Sequence, residues 1–161
     1  MTRSPKAEPK ADHKAEPKGR KLSNFLCFAV YSANLAFGRA YKPILDKVGL
    51  TYTQYIALIA LSEADELTVS ALGEKLFLES NTLTPILKKL EAMGYLRRQR
   101  SPEDERQVVV SLTPAGRRLR EKALPMNLVK ESGLAPADFA KIQKAVTALR
   151  DNLIKTTKNA D

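Results

Sequence analysis

The stretch that decides the fold runs from Thr82 to Gly116 and reads TLTPILKKLEAMGYLRRQRSPEDERQVVVSLTPAG. In its first third, leucines recur every three or four residues, which is the spacing of one helix face. Two short β-prone runs follow at 95–100 and 107–112, with a charged segment between them at 101–106. This order predicts a helix followed at once by a β-hairpin with a charged tip.

A second short helix is predicted just before this one. Thr68 is expected to cap it, and Ser80 is expected to cap the helix that follows. The apolar residues that should face inward are Val69, Leu72 and Leu76 on the first helix and Leu83, Leu87 and Leu90 on the second. Two short helices, a tight connection and a hairpin form the winged helix-turn-helix arrangement. In that arrangement one helix enters the major groove and the hairpin reaches the adjacent minor groove of double-stranded DNA.

The outward side chains of the second helix are the predicted DNA contacts. They are Ser80, Asn81, Thr82, Thr84, Pro85, Lys88 and Lys89, and Arg98 on the first β-run is added to them. Short polar groups near the helix start suit base edges, whereas flexible lysines suit phosphates. Arg106 at the hairpin tip is predicted to enter the minor groove, with Asp104 holding its guanidinium by charged hydrogen bonds. The alternative is a surface ion pair worth at most about 1 kcal/mol.

The remaining chain predicts further helices on both sides of this core. Ser23 is expected to cap a long first helix that Lys42-Pro43 interrupts, and Leu50-Thr51-Tyr52 leads into a buried second helix. Thr113-Pro114 starts another helix, which Pro125 ends or kinks. A last helix, from about Pro136 to Lys155, carries one apolar stripe of Phe139, Ile142, Val146, Leu149 and Leu153. The predicted fold class is mainly α with a small β-hairpin wing.

Charge is concentrated rather than spread. The net charge of the chain is +9, and residues 80–120 alone carry +5. Such a basic block is typical of a nucleic-acid-binding element, although a solvated charged face is the alternative. Residues 1–21 contain KAEPK twice and predict a disordered basic tail, which either attracts DNA loosely or only solubilises the chain.

Composition also limits the classes of protein to be considered. No apolar run is long enough to span a bilayer, and no secretion signal is visible, so a cytoplasmic protein without a membrane partner is expected. The single cysteine, Cys27, has no partner for an internal disulfide or a zinc site. The single histidine, His13, lies in the tail. No metal, cofactor or catalytic residue is therefore predicted.

The sequence around Cys27 supports two interpretations of this thiol. Among Phe25, Leu26 and Phe28 it resembles an inert buried thiol. Its place near a helix start, with phenolic donors available from Tyr31, Tyr41 and Tyr52, would instead favour the reactive thiolate.

The run from Thr82 to Gly116, with Asp104 and Arg106 in an Asp-x-Arg wing motif, resembles the DNA-binding lobe of the MarR family of regulators. That resemblance implies a homodimer. It assigns residues 22–158 to one domain, with a DNA-binding lobe at about 52–116 and dimerisation segments at 22–50 and 117–158.

The segment LCFAVYSANLAFGRAYKPILDKVGLTYTQY, Leu26 to Tyr55, resembles the organic hydroperoxide resistance regulators within that family. The resemblance implies that Cys27 is the peroxidatic thiol, that Tyr41 and Tyr52 hydrogen-bond it from the partner subunit, and that Tyr31 belongs to the same pocket. No second cysteine is present, so a small cellular thiol is expected to capture the oxidised sulfur.

The sequence thus predicts a DNA-binding repressor that leaves its operator when organic hydroperoxide oxidises Cys27. Two alternatives stay open. One is a MarR-type repressor gated by a small apolar or phenolic ligand, with Cys27 structural. The other is a thiol peroxidase, which the basic helix-turn-helix and wing disfavour.

Overall fold

The computed structural model of the chain describes residues 21–64, 66–122 and 128–158. Within these ranges the secondary structure runs α1 (Leu26–Leu45), α2 (Tyr52–Ser62), β1 (Leu67–Thr68), α3 (Val69–Leu76), α4 (Ser80–Ala92), β2 (Leu96–Arg100), β3 (Val108–Leu112), α5 (Pro114–Lys122), α6 (Leu128–Glu131) and α7 (Pro136–Lys158). The predicted fold class is confirmed, because helices dominate and one small sheet follows the helix-turn-helix.

The start of α1 differs from the prediction. Ser23 lies in a 3-10 turn, Leu22–Asn24, and its hydroxyl contacts the Asn24 side chain at 3.5 Å instead of capping a helix. The turn closes with a hydrogen bond from Phe25 N to Leu22 O, and Phe25 itself has extended backbone angles. Helix α1 therefore begins at Leu26, the residue after Phe25, and Cys27 is its second residue.

The predicted break at Lys42-Pro43 is also wrong. Helix α1 continues through Pro43 to Leu45, although proline cannot donate a hydrogen bond to the preceding turn. The last turn of α1 places Tyr41 and Leu45 in the core, where Leu45 is only 1% exposed. Tertiary packing of an apolar face commonly outweighs local helix propensity, and it does so here.

Helix α2 follows a capping box. Gln54 N donates to Thr51 Oγ1 at 3.3 Å, and Thr51 N donates to Gln54 Oε1 at 2.9 Å. The helix is buried nearly all round, as predicted, with Ala57, Leu58 and Leu61 fully enclosed.

The helix-turn-helix is formed by α3 and α4. Thr68 caps α3 as predicted, since its hydroxyl accepts a hydrogen bond from Ala71 N at 3.1 Å. Glu79, not Ser80, is the N-cap of α4, and its carbonyl accepts the first backbone hydrogen bonds of that helix. The predicted inward leucines of α4 (Leu83, Leu87 and Leu90) have no exposed surface.

The wing is a three-stranded antiparallel sheet in the order β1-β3-β2. Strands β2 and β3 pair from Leu96 with Leu112 to Arg100 with Val108. The two-residue strand β1 pairs with the edge of β3 that β2 does not occupy, and it leads directly into α3. The predicted hairpin is confirmed, whereas β1 is too short to leave a periodic signal in the sequence.

The chain divides into two compact units, the first ending at Ala40 and the second beginning at Tyr41. The second unit contains the core cluster, to which α2, α3, α4 and the wing contribute. Helix α7 runs to Lys158, three residues beyond its predicted end. Pro125 and the tail residues 1–20 lie outside the described residues. Among the described helices, none is long and apolar enough to cross a membrane.

Candidate functional site

The solvent side of α4 carries the predicted DNA contacts. Burial of its three leucines leaves the other side chains outward, and six of the seven predicted residues are exposed: Ser80, Asn81, Thr82, Pro85, Lys88 and Lys89. The seventh, Thr84, is half-buried, and its hydroxyl donates to Ser80 O at 2.6 Å. This hydrogen bond leaves the Thr84 oxygen as an acceptor toward solvent.

Three groups on this surface have donor hydrogens that no described residue accepts: the Asn81 amide and the ammonium groups of Lys88 and Lys89. The Thr82 hydroxyl donates to Asn81 Oδ1 at 3.2 Å, and within the described ranges the Asn81 amide nitrogen has no hydrogen-bond partner. Neither Lys88 nor Lys89 has an ion-pair partner among the residues that the structure describes. The surface therefore presents an amide donor near the start of α4 and two ammonium groups about two turns later.

Asp104 organises the wing tip, but not in the predicted way. Its Oδ1 accepts a hydrogen bond from the backbone N of Arg106 at 3.0 Å, and its Oδ2 accepts from Gln107 Nε2 at 3.1 Å. The predicted contact with the Arg106 guanidinium is not formed in the structure, where the carboxylate accepts from donors inside the turn instead. Across the described chain, the Arg106 guanidinium has no hydrogen-bond or ion-pair partner, and the residue is exposed.

The Arg98 side chain is paired with Glu91 on α4. Its Nε and Nη2 donate to Glu91 Oε2 at 2.9 and 2.6 Å, and its backbone N donates to Glu91 Oε1 at 3.0 Å. The Arg98 hydrogen bond is the main cause that lowers the pKa of Glu91, so this carboxylate stays charged. Sequence reasoning missed Glu91; its only signal was an acidic residue near the end of a helix, seven positions before a strand arginine.

A groove of about 200 Å³ connects the two DNA-facing elements. Thr84 on α4, Ser70 at the start of α3, and Arg98 and Arg106 on the wing all border it. The Arg106 guanidinium and the Ser70 and Thr84 hydroxyl groups on this border suit phosphate oxygens. The structure therefore brings the predicted helix and wing residues to one face.

The thiol site lies at the other end of the sequence. Cys27 is exposed on the first turn of α1 within the single chain that the structure describes. Tyr31 follows one helical turn later and is 59% exposed. In the part of the chain that the structure describes, no hydrogen bond reaches the Cys27 sulfur.

Tyr41 and Tyr52 form a cluster with Tyr55. The ring centroids of Tyr41 and Tyr52 are 5.1 Å apart, and those of Tyr41 and Tyr55 are 5.5 Å apart. Burial raises the pKa of Tyr41, and burial together with repulsion from Tyr41 raises the pKa of Tyr52. Both phenols therefore keep their protons and remain hydrogen-bond donors at neutral pH. Tyr55 was not predicted as part of this cluster.

No group of three or more His, Cys, Asp or Glu side chains suited to a metal ion occurs among the described residues.

Comparison with known proteins points to one kind of molecule. Residues 39–123 match the family described as transcriptional regulator SarA/Rot. The organic hydroperoxide resistance transcriptional regulator of Bacillus subtilis strain 168 is 44% identical over 138 residues, which cover 83% of this chain and 92% of that protein.

Solved structures agree with the sequence comparison. Reduced AbfR bound to DNA has a TM-score of 0.69 and 34% identity, with 83% of this chain and 94% of that chain covered. Over-oxidised AbfR bound to DNA has a TM-score of 0.66 and 34% identity, with 81% and 93% covered. AbfR is a protein of Staphylococcus epidermidis.

Proposed function

Because the chain belongs to the MarR-type winged-helix transcriptional regulators, in the group that contains organic hydroperoxide resistance regulators, we propose that it represses transcription until oxidation of Cys27 releases it from DNA. The chain is a transcriptional regulator and not an enzyme, since its relatives are regulators. The observation that carries the proposal is an exposed single thiol at the start of α1 in a chain whose wing arginine has no partner among the described residues.

The DNA-binding part of the proposal rests on charge and geometry. Helix α4 offers Asn81 to base edges and Lys88 and Lys89 to phosphates, and Arg106 extends from the wing toward the minor groove. The lobe that holds these residues is about 52–116. Reduced AbfR, which is similar over 94% of its length, was solved bound to DNA, and this supports the same partner here.

A homodimer is part of the proposal, with 22–50 and 117–158 as the dimerisation segments. Helix α1 exposes Leu26, Val30, Leu35 and Phe37, and helix α7 exposes Ile142, Val146 and Leu153. Apolar faces of this kind are typical of an interface that a second copy covers. A two-fold dimer would also present two α4 helices to a palindromic operator.

The redox step begins with the Cys27 thiolate. Its sulfur attacks an oxygen of the organic hydroperoxide, so that a sulfur–oxygen bond forms, the oxygen–oxygen bond breaks, and the alkoxide takes up a proton. Sulfur is oxidised to sulfenic acid and the peroxide is reduced to an alcohol. A low-molecular-weight thiol then forms a sulfur–sulfur bond with Cys27, and water leaves.

Tyrosines support this step as hydrogen-bond donors. In the proposed dimer, Tyr41 and Tyr52 of the partner subunit approach Cys27, and Tyr31 lies on the same helix face as the thiol. Phenols that keep their protons stabilise a thiolate without neutralising it. A 100-fold loss of DNA affinity requires only about 2.7 kcal/mol of difference between two dimer arrangements.

We infer that added bulk, rather than charge on the sulfur, causes release. Over-oxidised AbfR was solved bound to DNA, so over-oxidation is compatible with the DNA-bound state of that relative. A mixed disulfide adds a whole small molecule at the helix start, and packed interfaces do not absorb such volume without shifting.

A band-shift experiment with three oxidation states tests the proposal. The DNA is the fragment directly upstream of the gene that encodes this chain, and the protein is reduced, treated with cumene hydroperoxide plus glutathione, or over-oxidised with excess hydroperoxide alone. Mass spectrometry assigns the state of Cys27, which is unambiguous because the chain has one cysteine. Release only in the glutathione adduct supports the proposal. Retention of DNA by the fully formed adduct would contradict it.

A further inference from the structure

Two of the three guanidinium nitrogens of Arg98, Nε and Nη2, are bonded to Glu91 on α4. Three hydrogen bonds join Arg98 to Glu91, two from the guanidinium and one from the backbone N. The side chains of Arg98 and Glu91 are only 24% and 35% exposed, so water screens the pair less than it screens a fully solvated ion pair. Such a forked contact fixes direction as well as distance.

The position of this contact in the sheet affects where the wing tip lies. Strand β1 pairs with one edge of β3, and β2 pairs with the other edge; among the described residues, β3 is the only strand partner of β2. Arg98 is the middle residue of β2, and the turn begins three positions later at Ser101. At about 3.4 Å per residue, the tip lies roughly 10 Å beyond Arg98. A small tilt at Arg98 therefore becomes a larger displacement of the tip.

The displaced residue would be Arg106. Arg98 and Arg106 border the same groove as Thr84 of α4, so the position of Arg98 influences where the tip arginine lies relative to α4. DNA presents its major and minor grooves at a fixed spacing, and a protein that reads both must keep its two reading elements at that spacing.

We propose that Glu91 is a positioning residue for DNA recognition: through Arg98 it holds the wing at the distance from α4 at which Arg106 reaches the minor groove. This inference rests on the proposed DNA-binding function. It makes Arg98 an internal strut of the DNA-binding lobe, not a phosphate contact.

Substitutions separate the strut from a phosphate contact. Glu91→Gln keeps the shape of the side chain and removes its charge, and Arg98→Lys keeps the positive charge but cannot form the forked contact. A strut predicts that both variants weaken DNA binding by about tenfold, equal to about 1.4 kcal/mol. A phosphate contact predicts that Glu91→Gln frees Arg98 and strengthens binding, and that Arg98→Lys is tolerated. Glu103→Gln at the wing tip is the matched control, because it removes the same charge near DNA.

A double-mutant cycle identifies what the strut positions. The full-length reduced protein is titrated against the fragment upstream of its own gene by fluorescence anisotropy at fixed salt, as wild type, Glu91→Gln, Arg106→Ala and the double variant. If Glu91 acts through Arg106, Glu91→Gln changes the affinity of the Arg106→Ala protein by less than about twofold. An equal effect of Glu91→Gln in both backgrounds overturns the inference, since a general loss of structure would be additive.

Hydrogen exchange without DNA separates this inference from the proposed function. Glu91→Gln should speed amide exchange in residues 96–107 relative to Glu103→Gln, while exchange in α2 stays unchanged. Unchanged exchange in the wing overturns the strut whether or not the protein binds DNA. If wild type fails to bind the fragment while the wing exchange still rises, the DNA-binding proposal fails and the role of Glu91 in recognition fails with it.

Discussion

Gly116→Ala is expected to destabilise the protein although the substitution improves helix propensity. Gly116 lies in the first turn of α5, and an added Cβ would overlap the Tyr95 carbonyl oxygen and come within 3.0 Å of its carbonyl carbon. The added Cβ would also lie 3.2 Å from Leu112 Cδ2. That carbonyl also accepts a hydrogen bond from Thr113 N at 3.1 Å, so moving it away weakens a second contact.

The magnitude follows from opposing effects. Alanine gains about 1 kcal/mol over glycine in a helix interior. Overpacking against backbone costs about 1–3 kcal/mol, and a strained or lost hydrogen bond costs a further 0.5–1.5 kcal/mol, roughly. The net loss is therefore about 0.5–3.5 kcal/mol in the free energy of unfolding, or roughly 1–14 °C in Tm for a chain of this size.

Urea unfolding followed by far-ultraviolet circular dichroism, at matched protein concentration, measures this loss. Gly38→Ala in α1 is the control, because an added Cβ there meets nothing within 4 Å and its φ is ordinary. Gly38→Ala should raise the unfolding midpoint slightly. If Gly116→Ala is as stable as wild type, the close approach of α5 to the start of the wing is wrong.

Three further predictions concern the DNA face and the tyrosine cluster. Arg106→Ala should weaken operator binding at least about tenfold and more than Lys88→Ala does, because a groove-inserted arginine also senses groove width; equal losses at matched salt would count against this role. In a filter-binding titration, the logarithm of the DNA affinity should fall linearly with the logarithm of salt concentration, with a slope of about 0.9 per neutralised phosphate. Deletion of residues 1–20 should reduce that slope only slightly. An affinity that does not change with salt would exclude phosphate contacts. The pKa values of Tyr41 and Tyr52 are raised in the folded state, so their contribution to stability is complete below pH 10 and is lost as pH rises above it. The urea concentration at the unfolding midpoint should therefore fall at alkaline pH, and Tyr41→Phe should make that fall smaller.

The sequence predicted the parts of the fold that depend on local periodicity. The leucines of α4 and the two β-runs of the wing lie where their spacing indicated, because burial selects apolar residues at helix and strand intervals. Local signals failed where distant packing decides: α1 passes through Pro43 because Tyr41 and Leu45 enter the core. Strand β1 exists only through its pairing with β3.

At the candidate site, local sequence likewise predicted which residues are exposed but not which side chains contact each other. The solvent side of α4 follows from the buried side, so most of its predicted residues are exposed. The partner of an arginine does not follow from its own position, and Arg98 was assigned to DNA although Glu91 binds it. Asp104 was likewise assigned to the Arg106 guanidinium, whereas its carboxylate accepts from the Arg106 backbone N and the Gln107 side-chain amide.

The most direct test of the account compares wild type with Cys27→Ser on the upstream DNA fragment. Both proteins should bind with equal affinity when reduced, because serine keeps the shape of the side chain and Cys27 does not touch the DNA surface in the proposal. Addition of cumene hydroperoxide and glutathione should release wild type and leave Cys27→Ser bound. If Cys27→Ser leaves the DNA at the same peroxide concentration as wild type, Cys27 is structural and another signal, such as a small ligand, controls this regulator.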